Sequence, residues 1–145
     1  MPNPLRYRII TIGKTRKKWI QEGVEIYQNR LPGLRIIELR DGNPQRESEA
    51  IRTVLKKDES LIALTEEGEQ FTSLSFAKRI EEIGSKNLAF VIGGANGLST
   101  EIKTSAQWCL SLSPFTFPHE IARLLLLEQL YRAQTIHQGA PYHRK

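Results

Sequence analysis

The sequence predicts an α/β domain built on a mostly parallel sheet with helices on both faces. Three observations lead there. Strand-like and helix-like runs alternate five times along the 145 residues. The runs at 61–64 and 88–92 are apolar without polar alternation, as strands are when both faces are covered. No repeat, low-complexity stretch or long linker divides the chain, so residues 1–145 are expected to form a single domain with its own core.

The elements follow in order. Residues 6–12, Arg-Tyr-Arg-Ile-Ile-Thr-Ile, are rich in β-formers and end at Gly13, which marks the first strand. Ile20, Val24, Tyr27 and Leu31 recur at helical spacing and place an amphipathic helix over about 16–30, closed by Pro32 and Gly33. Residues 34–39 form the second strand. Asn43 before Pro44 is an N-cap with proline at the first helical position, and Ala50, Ile51, Val54 and Leu55 supply a buried stripe. Residues 61–64 form a short strand, after which Glu66, Glu67 and Gly68 are expected to turn the chain. Ser73 is placed as the cap of a helix carrying Phe76, Ile80 and Ile83, with Gly84 as its stop. Residues 88–92 make the fourth strand, Ser99 caps a short helix to about Gln107, and residues 108–112 make the last strand.

A long helix then runs from His119 to about His137. Ile121, Ala122, Leu124, Leu125, Leu126, Leu127, Leu130, Ala133 and Ile136 cover most of its circumference. A helix apolar all round is buried on more than one side. One sheet face is too little for that, so a homodimer is expected, with this helix between its own sheet and the partner. A monomer with some exposed leucine is the alternative.

Hydrophobic content of 39% and charged content of 26% are ordinary for a globular protein. The net charge of +5 is unevenly spread: +7 over residues 1–57, −4 over 58–118 and +2 over 119–145. A basic lobe suits a polyanion such as nucleic acid; solvated helix faces without a partner are the alternative. Lys14, Arg16, Lys17 and Lys18 form the densest cluster and are the candidate phosphate contacts. The single cysteine, Cys109, excludes an intrachain disulfide, reads as a small buried hydrophobe and fits a reducing, cytoplasmic setting. Met1-Pro-Asn-Pro-Leu-Arg lacks the apolar stretch of a signal peptide, and the leucine run at 124–127 is too short for a bilayer, so no membrane partner is expected.

In open α/β sheets ligands bind beyond the carboxyl ends of the strands. Three segments qualify: the loop after Leu64, the loop after Ile92, and residues 113–118. Gly93-Gly-Ala-Asn-Gly97 lies between a strand and a helix, where its backbone can approach an anion or nucleotide. It is neither a Gly-x-Gly-x-x-Gly fingerprint nor a P-loop, and taken alone it reads equally as a tight turn. His119, His137, His143 and Cys109 have no metal-ligand spacing, so no metal is expected. No nucleophile elbow is present. Tyr142 and His143, five and six residues past the long helix, are either a frayed end or part of an active site.

Four spaced motifs narrow these readings. They are Gly93-Gly-x-x-Gly97-Leu98-Ser99, Leu112-Ser-Pro-Phe-Thr-Phe117-Pro-His, Glu128-Gln-Leu-Tyr-Arg-Ala133 and Pro141-Tyr-His-Arg144. Together with Gly13-Lys14, Leu64, Gly68 and the Ser-x-x-Phe-Ala stretch from Ser73 to Ala77, they closely resemble the ribosomal RNA large subunit methyltransferase H family along the whole chain. These are S-adenosylmethionine-dependent enzymes of the SPOUT class. The resemblance implies an α/β domain with a C-terminal trefoil knot and a homodimer. It implies methylation of N3 of a pseudouridine in 23S ribosomal RNA, on the assembled ribosome. Carried onto matching positions, the cofactor pocket is Leu64, Gly93, Leu112, Ser113, Pro114, Phe115, Thr116 and Phe117. Two departures stand out: Thr65 where many relatives have Asp, and Ala95-Asn96 where many have Pro-Glu.

N3 of a uracil-type ring carries a proton at neutral pH, so a base or an anion stabiliser is required. Tyr142 and His143 of one subunit are the candidates, reaching the partner's pocket, with His143 as base or orienter and Arg144 and Lys145 on phosphate. His119 is the alternative base. A ribosome-binding protein of the same fold without catalysis, supported by Thr65 and Asn96, and an unrelated Rossmann-like nucleotide enzyme are the competing functions.

Overall fold

Five parallel strands form one sheet in the order β2-β1-β4-β3-β5. They are β1 (Tyr7–Ile12), β2 (Arg35–Leu39), β3 (Glu59–Gln70), β4 (Asn87–Ile92) and β5 (Trp108–Ser111). Helices α1 (Lys18–Arg30), α2 (Pro44–Val54), α3 (Ser73–Ile83), α4 (Thr100–Ser105) and α5 (His119–His137) follow the strands in turn, and a 3-10 turn, Pro141–His143, comes last. The computed structural model describes residues 7–83 and 87–143. Arg6, Gly84, Arg144, Lys145 and the side chain of His143, all used in the sequence reading, lie outside the described residues.

The strand pleat sorts the core into two layers. Leu88, Phe90 and Ile92 of β4 point into one cluster, with Ile20 and Val24 of α1, Phe76 and Ile80 of α3, and Leu126, Leu127 and Leu130 of α5. Ala89 and Val91 of the same strand point into the other, with Ile51 of α2 and Ile102 of α4. Both faces of the sheet are therefore covered, and the near-continuous apolar strands follow from that. The edge strand β2 is the exception, with Arg35 and Glu38 exposed.

Caps fix the helix starts. The Asn43 side chain accepts from the Arg46 N–H at 2.8 Å with Pro44 in the first turn, and the Ser99 hydroxyl accepts from the Ile102 N–H at 3.2 Å. Helix α1 starts at Lys18, two residues later than the periodicity suggests. Ser73 does not cap α3: the Thr72 hydroxyl accepts from the Ser75 N–H at 3.0 Å, and Ser73 instead donates to Gln129 of α5 at 2.7 Å.

Two expectations are corrected. Residues 66–68 do not turn the chain; they continue β3, whose register against β5 shifts between Leu64 and Glu69. Gly68 permits this passage, because a Cβ there would lie 2.7 Å from the Cys109 carbonyl carbon. The second correction concerns α5. Its extra apolar faces are largely covered within the chain, by α1 on one flank and α3 on the other. Leu124 packs on Gly23, where a Cβ would approach its Cδ1 to 3.0 Å, and Leu125 remains exposed. Cys109 is half-buried rather than fully buried. Among the described residues no helix is long and apolar enough to cross a membrane.

Candidate active site

All strands run the same way, so their carboxyl ends meet at one edge of the sheet. A cavity of about 340 Å³ opens there. Its walls come from β3 and its bulge, from the loop after β4, and from the segment joining β5 to α5. These are the three segments that the sequence singles out. Leu64, Gly93, Leu112, Ser113, Phe115, Thr116 and Phe117 line the cavity; Pro114 sits among them on the exposed side and is not on the wall.

Glycine shapes the loop after β4. A Cβ on Gly93 would lie 2.7 Å from the Gly97 carbonyl carbon, so only glycine lets the loop fold back this tightly. The turn closes through Gly97 N–H to the Gly94 carbonyl at 3.0 Å. On the opposite wall, the Ser111 hydroxyl donates to the Glu66 carbonyl at 3.0 Å, and the Thr116 hydroxyl donates to the Glu66 carboxylate at 2.9 Å. These bonds tie the β3 bulge to the end of β5 and to the 112–117 segment.

Glu66, Glu67 and Lys103 also line the cavity and were not anticipated as site residues. Lys103 Nζ donates to Glu67 at 2.5 Å. That bond, followed by one from Thr65, holds the Glu67 carboxyl below the usual range. The one sequence signal for these positions was a pair of carboxylates just past a strand.

His119 opens α5 and reaches the cavity wall. Its ring packs on Gly13, where a Cβ would lie 3.0 Å from the ring Cε1. Its Nδ1 is buried with no hydrogen-bond partner among the described residues. The basic loop after β1 is fastened to the same helix end. Glu120 accepts from the backbone N–H of Arg16 at 2.8 Å and of Lys17 at 3.0 Å. The Lys17 N–H is the main cause of a Glu120 carboxyl held below its ordinary range, against burial. Arg123, almost fully buried, donates to Glu38 at 2.7 Å, to the Gly13 carbonyl at 3.2 Å and to the Thr15 hydroxyl. With its backbone so anchored, the loop leaves Lys14, Arg16, Lys17 and Lys18 exposed beside His119.

Tyr142 is elsewhere. Its hydroxyl donates to Glu128 at 2.8 Å and its ring meets Tyr131 edge-on at 4.6 Å between centroids. Tyr27 donates to the same Glu128 oxygen at 2.5 Å, and Arg132 pairs with the other. Burial pushes the Glu128 carboxyl up, but the bonds from Tyr27, Arg132 and Tyr142 outweigh it and hold it low. Burial, then Glu128, pushes the Tyr27 phenol above its ordinary value. Tyr142 therefore does not line the cavity of its own chain, whereas His119 does. Among the described residues no group of three or more His, Cys, Asp or Glu side chains is placed to hold a metal.

Known proteins match this architecture. The family model described as "Predicted SPOUT methyltransferase" matches residues 5–143. The ribosomal RNA large subunit methyltransferase H of Synechococcus sp. strain CC9311 is 61% identical over 142 residues, covering 98% of this chain and 99% of that protein. The protein of the same name from Prochlorococcus marinus strain SARG is 60% identical over 145 residues, the whole of both. Among solved structures, a probable methylase family protein from Haemophilus influenzae superposes with a TM-score of 0.62 at 12% identity, covering 97% of this chain and 71% of that one. A probable methyltransferase from Bordetella pertussis does so with a TM-score of 0.56 at 13% identity, covering 90% and 95%. At such identities these two establish the fold alone.

Proposed function

The chain belongs to the ribosomal RNA large subunit methyltransferase H family of SPOUT methyltransferases, and from that premise we propose that it methylates N3 of a pseudouridine in 23S ribosomal RNA on the assembled ribosome. S-adenosylmethionine is the proposed donor, and when bound it supplies a methyl on an electrophilic sulfonium. The observation that carries the reading is the convergence of three segments, distant in sequence, on one cavity that combines the apolar side chains Leu64, Leu112 and Phe117 with polar ones and a glycine-formed backbone rim.

The residues present fit that cofactor. Leu64, Leu112 and Phe117 offer apolar surfaces to an adenine ring, while the backbone at Gly93, Ser113, Phe115 and Thr116 on the cavity wall would bond its edge, with Pro114 shaping that segment from outside the wall. The volume is within the range of small-molecule sites. The remaining task is to hold the acceptor ring in line and to receive its N3 proton. His143 takes that role, with Tyr142 beside it, reaching from one protomer of a homodimer into the partner's cavity. The position of Tyr142 away from its own cavity supports delivery to a partner. His119, whose side chain reaches the wall and whose buried Nδ1 has no hydrogen-bond partner among the described residues, is the second candidate. Lys14, Arg16, Lys17, Lys18, Arg144 and Lys145 hold RNA phosphates, which makes binding salt-dependent without reading sequence. A single domain, a trefoil knot at the C-terminal end and a cytoplasmic location complete the proposal.

The test is transfer of labelled methyl from S-adenosylmethionine to ribosomes lacking the modification, followed by mapping of the nucleotide. Label on one pseudouridine of the large-subunit RNA is expected. Label on another RNA, or none, would overturn the substrate. A chain truncated before Pro141 is expected to bind cofactor and lose transfer; normal transfer would remove Tyr142 and His143 from the mechanism.

A further inference from the structure

We propose that Glu66 makes the cavity prefer a cationic ligand over its neutral counterpart, so that it retains the sulfonium donor and releases the thioether product. The inference rests on the reading of the cavity as a S-adenosylmethionine site.

The charge balance of the wall carries the argument. Among the described residues, its acidic and basic side chains other than His119 are Glu66, Glu67 and Lys103. Lys103 is committed to Glu67 at 2.5 Å, so those two cancel. Glu66 accepts from the neutral Thr116 hydroxyl at 2.9 Å, and no ion pair involves it among the described residues. One uncompensated negative charge thus faces the cavity in a chain whose net charge is +5. An anionic ligand would be repelled by it.

Position adds to charge. Glu66, Thr116 and Phe115 are exposed at the rim, whereas Ile92, Leu98 and Leu110 are buried at the floor. A ribosomal base can approach only from the open side. The methyl, and the sulfonium that bears it, must therefore lie toward the rim, with the adenosyl end deeper. The Thr116 hydroxyl fixes the carboxylate on that side. The positive charge is present on the donor and absent from the thioether left after transfer, so a carboxylate near the sulfur separates the two. At roughly 6 Å and an effective dielectric of about 40, one such charge is worth about tenfold in affinity.

Calorimetric titration of the full chain with three ligands tests this. They are S-adenosylmethionine, S-adenosylhomocysteine, and sinefungin, whose amine cation takes the place of the sulfonium. Glu66→Gln is expected to weaken the two cationic ligands about tenfold and to change S-adenosylhomocysteine less than about twofold. Glu66→Asp, which keeps the charge, is expected to keep the preference. An equal loss for all three ligands would mean that Glu66 acts through shape or through a hydroxyl of the cofactor, and would overturn the inference; so would no change at all. Failure of the wild-type chain to bind any of the three would overturn the cofactor reading and the inference with it.

Discussion

The two ends of the sheet hold their carboxylates differently. At the amino end, Arg8 of β1 donates twice to Glu59 of β3, at 2.6 and 2.5 Å, and once to the Val54 carbonyl at 2.9 Å. Glu59 also accepts from the Lys56 N–H at 2.9 Å, and its side chain is 2% exposed. Arg8 and Glu59 there consume one another, while the buried Tyr7 hydroxyl and Trp108 Nε1 at the same end have no hydrogen-bond partner among the described residues. At the carboxyl end, Glu66 is held by a single hydroxyl, the His119 Nδ1 has no partner among the described residues, and a glycine loop presents bare backbone. The exposed Glu66 and the loop backbone beside the cavity are available to a ligand, whereas the His119 Nδ1 is buried. Capacity consumed in a buried pair serves the fold.

Substitutions at the two ends should therefore fail differently. Gly93→Val forces the loop away from Gly97, and displacement by about an ångström is expected to cost methyl transfer about a hundredfold or more, with unfolding by urea little changed. Arg8→Ala should do the reverse. It leaves the buried Glu59 carboxylate without its partner, an expected loss of about 3 kcal/mol in urea unfolding, with S-adenosylmethionine affinity unchanged in calorimetry. If Arg8→Ala lowered methyl transfer as much as Gly93→Val, the division between the ends would be false.

Smaller effects belong to the basic loop after β1, at the carboxyl end beside His119. Replacing Lys14, Lys17 and Lys18 by Gln is expected to lower ribosome affinity and to flatten its log–log salt dependence by about 2, measured by sedimentation across a salt series. Glu120 gives a pH signature. Its folded value lies below the ordinary 4.5, so its stabilisation is complete above that pH and fades as the pH falls through the folded value. Glu120→Gln should remove that part of the acid limb and cost about 1 kcal/mol at pH 7 through weaker bonds to Arg16 and Lys17, read as urea midpoints from pH 3 to 7.

Much of this was legible in the sequence, for physical reasons. The five β-α units were readable because apolar runs of four to six residues and helical spacing of 3 and 4 are local properties. The glycine loop and the Ser-Pro-Phe-Thr-Phe segment were readable because special backbone needs special residues. Residues 66–68 misled because two glutamates and a glycine have turn chemistry, while their role depends on the register of β3 against β5. Glu67 and Lys103, 36 residues apart, meet only through that register. The packing of His119 on Gly13 likewise comes from α5 returning to the end of β1, which no local pattern encodes. The apolar surplus of α5 was real, but two flanking helices of the same chain take most of it.

Hydrogen–deuterium exchange of the full chain, with and without saturating S-adenosylmethionine, tests the contrast between the ends most directly. Protection is expected in residues 92–98 and 112–117, with residues 55–61 at the opposite edge unchanged. Protection centred on 55–61, or none anywhere under saturation, would contradict the assignment of the carboxyl edge as the cofactor site.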